Sequence, residues 1–118
     1  MGENDREPDP RGALMDGSGR AHRRVEIVNT HGLHMRPAGK FVTLASSFRS
    51  EVWVEYRGAR VNGKSVLDMT TLAAQRGTVL DIEAIGPDAE AAINALADLV
   101  AAGFHMTEED YRPRAEAR

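Results

Sequence analysis

A histidine, an arginine and a proline lie within four positions of the chain, at His34, Arg36 and Pro37. Among side chains, imidazole has the ordinary pKa closest to pH 7, so a histidine can act there as a neutral nucleophile. The guanidinium of arginine presents a fork of donors that matches the oxygens of a phosphate. The combination predicts phosphoryl chemistry, with His34 as the acceptor and Arg36 as its charge partner.

The surrounding pattern places these residues where a strand gives way to a helix. Residues 24–28 are strand-like, because Val25 and Ile27 alternate with a polar neighbour. Apolar residues then recur with the helical period, at Ala38, Phe41, Val42, Ala45 and Phe48. Since proline is tolerated only in a first turn, Pro37 fixes the start of the helix near residues 34–36. A helix N-terminus favours a bound anion, so it would stabilise a phosphate on His34.

The remaining elements predict an α+β domain with the order β-α-β-β-α-β-α. Residues 51–56 alternate in polarity, and residues 59–61 can return as the second strand of a hairpin. A helix is expected over residues 65–74, a strand over residues 78–85 and a helix over residues 88–102. Strands with one apolar and one polar face indicate an antiparallel or mixed sheet that helices cover on one side only.

Composition limits the possible functions. The 118 residues carry a net charge of -3, from 15 basic and 18 acidic side chains, which argues for one domain and against a general nucleic-acid binder. There is no cysteine, so disulfides and thiol chemistry are excluded, and a cytoplasmic location is expected. No apolar run approaches the ~20 residues of a membrane span, so no membrane insertion is expected. The four histidines are scattered, so no metal or cofactor is expected.

Three segments follow from the distribution of apolar residues. Residues 1–22 are rich in proline, glycine and charge, and we expect them to form a disordered N-terminal tail. Residues 23–105 should form the folded domain. Residues 106–118 should form a polar C-terminal tail.

A second phosphate-binding pattern lies downstream. Residues 58–65 fit G-x-x-x-x-G-K-[ST], the loop that cradles nucleotide phosphates, with Lys64 and Ser65 as its last two members. A nucleotide-binding protein is therefore an alternative. The strand before such a loop is normally buried on both faces, whereas residues 51–56 alternate in polarity. We therefore expect His34, and not this pattern, to carry the function.

The stretch Gly32-Leu33-His34-Met35-Arg36-Pro37-Ala38, with Val61-Asn62-Gly63-Lys64-Ser65-Val66-Leu67 further on, resembles the HPr family, the histidine-containing phosphocarriers of the phosphoenolpyruvate-dependent phosphotransferase system. The resemblance implies an open-faced β-sandwich, with four antiparallel strands and three helices on one face, and a monomer. It implies that His34 accepts a phosphoryl group on Nδ1 from phospho-enzyme I and passes it to an enzyme IIA-type protein. Arg36 would assist both transfers. The chain would be a stoichiometric carrier for sugar uptake or a regulatory branch, and not a stand-alone turnover enzyme.

The resemblance also implies a regulatory site and a docking surface. Ser65 matches the serine that an HPr kinase/phosphorylase modifies in some bacteria, although the charge of Asp68 would repel a phosphate there. Partner docking is expected on the first helix and on the segment that begins at Ser65, at Met35, Gly39, Val66, Leu67 and Thr70. A regulatory module that binds partners without relaying phosphate is a further alternative, and the presence of His34 argues against it.

Overall fold

The structure, a computed structural model, describes residues 14–15 and 19–107. Within these ranges the chain forms five strands and three helices. In chain order they are β1 (Leu14–Met15), β2 (Arg20–Glu26), α1 (Met35–Ser46), β3 (Glu51–Tyr56), β4 (Ala59–Asn62), α2 (Val66–Thr71), β5 (Val79–Ile85) and α3 (Ala89–Ala101). A short 3-10 turn, Gly103–His105, follows α3.

The strands form one antiparallel sheet in the order β1-β2-β5-β3-β4. The register sets Val25 opposite Leu80 and Val54 opposite Ile82, so buried apolar side chains share one face. The three helices pack over that face. The predicted α+β open-faced sandwich is therefore confirmed: its four strands are β2 to β5, and β1 adds a two-residue strand beside β2.

The other face of the sheet carries charged side chains that pair across strands. The guanidinium of Arg24 lies 3.1 Å from the carboxylate of Asp81, and that of Arg60 lies 2.7 Å from Glu83. Arg60 also stacks over the ring of Trp53, 5.0 Å from its centroid. These exposed pairs contribute little to stability, and they leave the helical face as the one that buries the core.

β2 is longer at its start than the sequence pattern indicates. It begins at Arg20, four residues before the expected start, and so includes the last residues of the proposed N-terminal tail. Only Ala21 and Val25 of this strand are buried. Arg23 shares their face, opposite Ile82, but is partly exposed, and the other four side chains alternate onto the charged face. The rest of the proposed N-terminal tail apart from β1 and Gly19, and residues 108–118 of the C-terminal tail, lie outside the described residues.

Asp88 joins the start of α3 to the start of β3. Its carboxylate accepts hydrogen bonds from the hydroxyl of Ser50 at 2.5 Å and from the backbone N–H groups of Arg49 and Ser50, both at 2.9 Å. The bond from the Ser50 hydroxyl, followed by that from the Arg49 N–H, lowers the pKa of Asp88 to about 2.

Among the described residues, no helix is both long enough and apolar enough to cross a membrane.

Candidate functional site

His34 is the residue from which α1 begins. Its backbone is extended, with φ -91° and ψ -167°, and its carbonyl accepts the N–H of Ala38 at 2.9 Å. The imidazole makes no capping hydrogen bond to the helix. The ring therefore lies beside the N-terminus of a 12-residue helix without being used to close it, as the position of Pro37 in the first turn predicts.

The loop before His34 is fixed by hydrogen bonds to and from its own backbone. The buried side chain of Asn29 donates to the carbonyl of Gly32 at 2.7 Å, and the Gly32 N–H donates to the Asn29 carbonyl at 3.2 Å. The N–H of Leu33 donates to the carbonyl of Ala74 at 2.8 Å. The loop is thus attached to the segment between α2 and β5, which sets the direction in which His34 leaves it.

Gly32 is required at this contact for two reasons. Its φ of +74° lies in the left-handed region, which side chains disfavour. A Cβ at this position would lie 2.5 Å from the carbonyl oxygen of Ala74 and 2.9 Å from the Cα of Gln75. Both neighbours are backbone atoms, so the two loops could not stay in contact around a side chain.

The electrostatics of the site favour a neutral imidazole. The pKa of His34 lies below its ordinary value of 6.5, chiefly because the ring is partly buried, and further because of the positive charges of His31 and Arg36. The rings of His31 and His34 are 6.2 Å apart between centroids and meet edge to face at 73°. A lowered pKa keeps the imidazole neutral at pH 7, which is the form a nucleophile needs.

One nitrogen of the His34 ring is buried. Nε2 of His34 is buried, whereas the residue as a whole is partly exposed. A phosphorus atom that approaches from solvent therefore cannot reach Nε2.

His34 lies in a cleft of about 440 Å³, which we call the histidine cleft. Met35 and Thr70 of the expected docking set line it with His34, and so do His31, Leu33, Ala73, Ala74 and Gln75. Arg36 and Gly39 line a different cleft, between α1 and the end of α3. Arg36 is nevertheless close enough to His34 to lower its pKa.

The other expected docking residues differ in exposure. Met35 on α1 is 63% exposed and Leu67 on α2 is 73% exposed, unusually high values for large apolar side chains. Val66 packs partly against the core, and Thr70 donates its hydroxyl to the Leu67 carbonyl at 2.9 Å. Gly39 has open space where a side chain would start. The structure thus presents two apolar side chains on neighbouring helices.

Ser65 is the residue that caps α2. Its hydroxyl accepts the backbone N–H of Asp68 at 3.2 Å, and the Asp68 carboxylate accepts the N–H of Asn62 at 3.2 Å. The serine therefore caps the first turn of this short helix, and the aspartate ties that turn to the end of β4. Ser65 is not among the residues that line the histidine cleft.

The nucleotide-loop alternative is at odds with the geometry. Four of its residues, Ala59–Asn62, form strand β4 rather than a phosphate cradle. The ammonium of Lys64 donates to the carbonyl of Phe48 at 2.8 Å and so is held against the protein. The helix that follows has only six residues. The match to the pattern arises from a hairpin strand followed by a turn.

Sequence reasoning missed two parts of the site. Asn29 and the segment 73–75 hold the loop of His34 in place, yet neither belongs to a recognisable motif. Ala74 acts through its carbonyl, which carries no sequence signal. Asn29 ahead of Gly32 was the available clue, since asparagine side chains often bond to nearby backbone in loops.

Within residues 14–15 and 19–107, no group of three or more acidic, histidine or cysteine side chains could hold a metal ion.

Known proteins resemble this chain in both sequence and fold. The PTS-HPr family model, described as "PTS HPr component phosphorylation site", matches residues 21–102. The phosphocarrier protein HPr of Neisseria meningitidis serogroup A is 49% identical over 76 residues, which cover 64% of this chain and 85% of that protein. The phosphocarrier protein NPr of Proteus mirabilis is 39% identical over 84 residues, or 70% and 93% of the two chains.

A solved structure supports the same assignment. The crystal structure of HPr-C-His from Thermoanaerobacter tengcongensis matches with a TM-score of 0.70 and 42% sequence identity. The match covers 73% of this chain and 97% of that one. The fold, the family model and these identities agree over the same central region. The chain therefore belongs to the PTS-HPr family, the family of the HPr and NPr phosphocarrier proteins of the phosphotransferase system.

Proposed function

We propose that this chain accepts a phosphoryl group on Nδ1 of His34 from phospho-enzyme I and passes it to an enzyme IIA-type protein. The observation that carries the proposal is the state of the His34 ring. The ring lies at the N-terminus of α1, its Nε2 is buried and its pKa is lowered, which supports Nδ1 of the neutral ring as the nucleophile. The chain acts as a stoichiometric carrier.

The transfer needs no further reagent from this chain. The lone pair of neutral Nδ1 forms the N–P bond while the bond from phosphorus to the donor protein breaks, and the donor keeps that electron pair. The second transfer runs the same way, with His34 as the leaving group. Arg36 and the N-terminus of α1 share the negative charge of the phosphoryl oxygens during both steps.

Labelling tests this proposal directly. Incubation with phosphoenolpyruvate and enzyme I should place one acid-labile phosphoryl group on the wild-type chain, and none on His34→Ala. His31→Ala is the matched control, because it removes the neighbouring imidazole and should still be labelled. A labelled His34→Ala chain would sink the assignment. An unlabelled wild type that still binds its partners would favour a regulatory module that does not relay phosphate.

The partners and the branch belong to the same proposal. Relatives include both an HPr and an NPr, so the acceptor is an enzyme IIA-type protein of either sugar uptake or a regulatory branch. We propose that the chain works as a monomer in the cytoplasm. Its docking surface comprises the exposed Met35 and Leu67 together with Gly39, Val66 and Thr70. The two branches can be distinguished by measuring the rate of phosphoryl transfer to a IIA-type protein of each. The branch served should be the one whose IIA-type protein is phosphorylated faster.

Ser65 is proposed as a secondary, regulatory phosphorylation site for an HPr kinase/phosphorylase. Its position at the start of α2 gives a phosphate nearby N–H groups, while Asp68 opposes it with a like charge. Incubation with ATP and such a kinase should label Ser65 weakly, and Asp68→Asn should increase the labelling. Labelling that survives Ser65→Ala would reject the site.

A further inference from the structure

A second cleft adjoins the histidine cleft. It has a volume of about 740 Å³ and lies between the β3–β4 turn and the segment that leads from α2 to β5. Its lining residues are Tyr56, Arg57, Leu72, Ala73, Gln75, Arg76, Gly77, Thr78 and Val79. Ala73 and Gln75 line both clefts, so the two form one continuous surface that begins at His34. We call the second one the arginine cleft.

The arginine cleft is positively charged. Arg57 and Arg76 both line it and both are exposed, and no acidic side chain is among its lining residues. Glu26, opposite Val79 in the sheet, and Glu55, beside Tyr56 on β3, both lie outside the lining. The guanidinium of Arg57 lies 5.2 Å from the centroid of the Tyr56 ring, which orients it. The cleft therefore attracts anionic groups.

The backbone of the cleft is held in unusual conformations. Arg57 has a φ of +52° and Ala73 a φ of +51°, in the left-handed region that non-glycine residues seldom adopt. Arg57 and Gly58 together make a hairpin turn with two positive φ values, a turn for which asparagine followed by glycine is preferred. Arginine is thus a poor choice for the turn itself. Such strain is typical of positions that serve a function, here a positive charge at the mouth of the cleft.

We propose that the arginine cleft is a docking surface for acidic side chains of the protein that exchanges a phosphoryl group with His34. The inference rests on the proposed function and extends the docking surface from α1 and α2 to the β3–β4 turn. A protein surface fits better than a free anion, because both arginines and the apolar Val79, 48% exposed, face solvent. A small-ligand site would enclose its polar groups.

The decisive experiment compares two double variants with equal loss of charge. Arg57→Asn with Arg76→Gln removes the charges of the cleft, and asparagine suits the positive φ of the turn. Arg20→Gln with Arg24→Gln removes two arginines that pair with Glu83 and Asp81 on the open face of the sheet. Circular dichroism should show that both variants fold. The rate of phosphoryl transfer from phospho-enzyme I is then measured against carrier concentration.

The cleft variant should raise KM about fivefold at low salt, with kcat within about twofold of wild type, because rim charges act on association. The control should stay within about twofold of wild type, and the difference should vanish at about 0.5 M salt. An unchanged KM, or an equal rise in both variants, overturns the proposal. An unchanged KM with saturable binding of inorganic phosphate to the backbone amides of residues 75–77, followed by NMR, would also overturn the proposal. The cleft would then bind a free anion and not the partner protein.

A binding measurement distinguishes a failure of this inference from a failure of the proposed function. Unphosphorylated enzyme I is titrated into each variant, which requires no transfer. Binding weakened about fivefold in the cleft variant alone supports the docking surface even if no phosphoryl group reaches His34. Normal transfer with equal binding by both variants leaves the proposed function intact and rejects the docking surface. A wild-type chain that neither binds enzyme I nor is phosphorylated rejects both.

Discussion

His34 occupies a helix position that usually carries a serine, threonine, aspartate or asparagine. Those residues bond their side chains to the N–H groups of the first turn, which stabilises a helix by about 1 kcal/mol. His34 makes no such bond. The helix forgoes that stabilisation, and the N–H groups of its first turn are left uncapped by this side chain. The same arrangement places a neutral imidazole beside a helix end that favours phosphate.

The protonation of His34 can be measured by NMR titration of the ring protons. We expect a midpoint below 6.5, and phosphoryl acceptance should fall as the pH drops through that midpoint, because only the neutral ring is nucleophilic. Because the native pKa is lowered, the unfolded state takes up the proton first. The fold should therefore lose stability as pH falls from about 6.5 to the native midpoint.

His31 supplies part of this shift. His31→Gln should raise the midpoint of His34 without restoring the ordinary value, because partial burial is the larger cause. His22→Gln, on the exposed face of β2, is the control and should leave the midpoint unchanged. A His34 midpoint at or above 6.5 in the wild-type chain would contradict the electrostatic account of the site.

Arg36 should act on transfer and not on folding. Its side chain is exposed, so Arg36→Ala should keep the unfolding midpoint in urea close to wild type. The rate of transfer from phospho-enzyme I should fall about tenfold or more, because a charge-assisted donor to the phosphoryl oxygens is lost. Arg36→Lys should be intermediate, and Arg49→Ala, at an exposed position in the loop between α1 and β3, should transfer normally. An unchanged rate in Arg36→Ala would remove it from the mechanism.

Among the elements, those with strong local signals could be predicted and those set by distant contacts could not. The start of α1 follows from Pro37, and the alternation in β3 gives its buried face. The early start of β2 was missed because Arg23, opposite the buried Ile82, puts a basic side chain on the covered face and so breaks the apolar alternation. The attachment of the His34 loop to Ala74 was missed because it joins two backbones more than forty residues apart.

Two glycine substitutions separate the loop contact from helix propensity. Gly32→Ala should lower the free energy of unfolding by roughly 2–4 kcal/mol, since it combines a positive φ with a clash against backbone atoms. Gly39→Ala, inside α1 with open space around it, should instead stabilise the chain by about 0.5–1 kcal/mol. Urea denaturation measures both. A neutral Gly32→Ala would show that the two loops can part without cost.

At the scale of the whole molecule, the two sides of the sheet have different roles. The helical side buries the core and carries His34 at its rim, while the open side carries paired charges that stay in solvent. Strand β1 adds only two residues at the edge of β2. Every residue assigned to the site lies in the part of the chain from Gly19 to Thr107.

A shortened chain tests whether the proposed tails matter. A fragment of residues 19–107 should fold, with its unfolding free energy within about 1 kcal/mol of the full chain, because a two-residue edge strand adds little. It should also be phosphorylated by phospho-enzyme I at the same rate. The comparison requires circular dichroism, urea denaturation and the labelling assay. A fragment that folds but transfers slowly would assign a role to the segments outside it.

The bond from the Leu33 N–H to the Ala74 carbonyl means that main-chain atoms hold much of the scaffold of the site. An alanine scan changes side chains only, so it would leave this backbone hydrogen bond intact. It would therefore underestimate how much the bond contributes to holding the site. Amide hydrogen exchange can detect it instead. Leu33 is one residue from the partly exposed ring of His34, yet its amide should exchange as slowly as those of the central strands, because both loops must separate to release it.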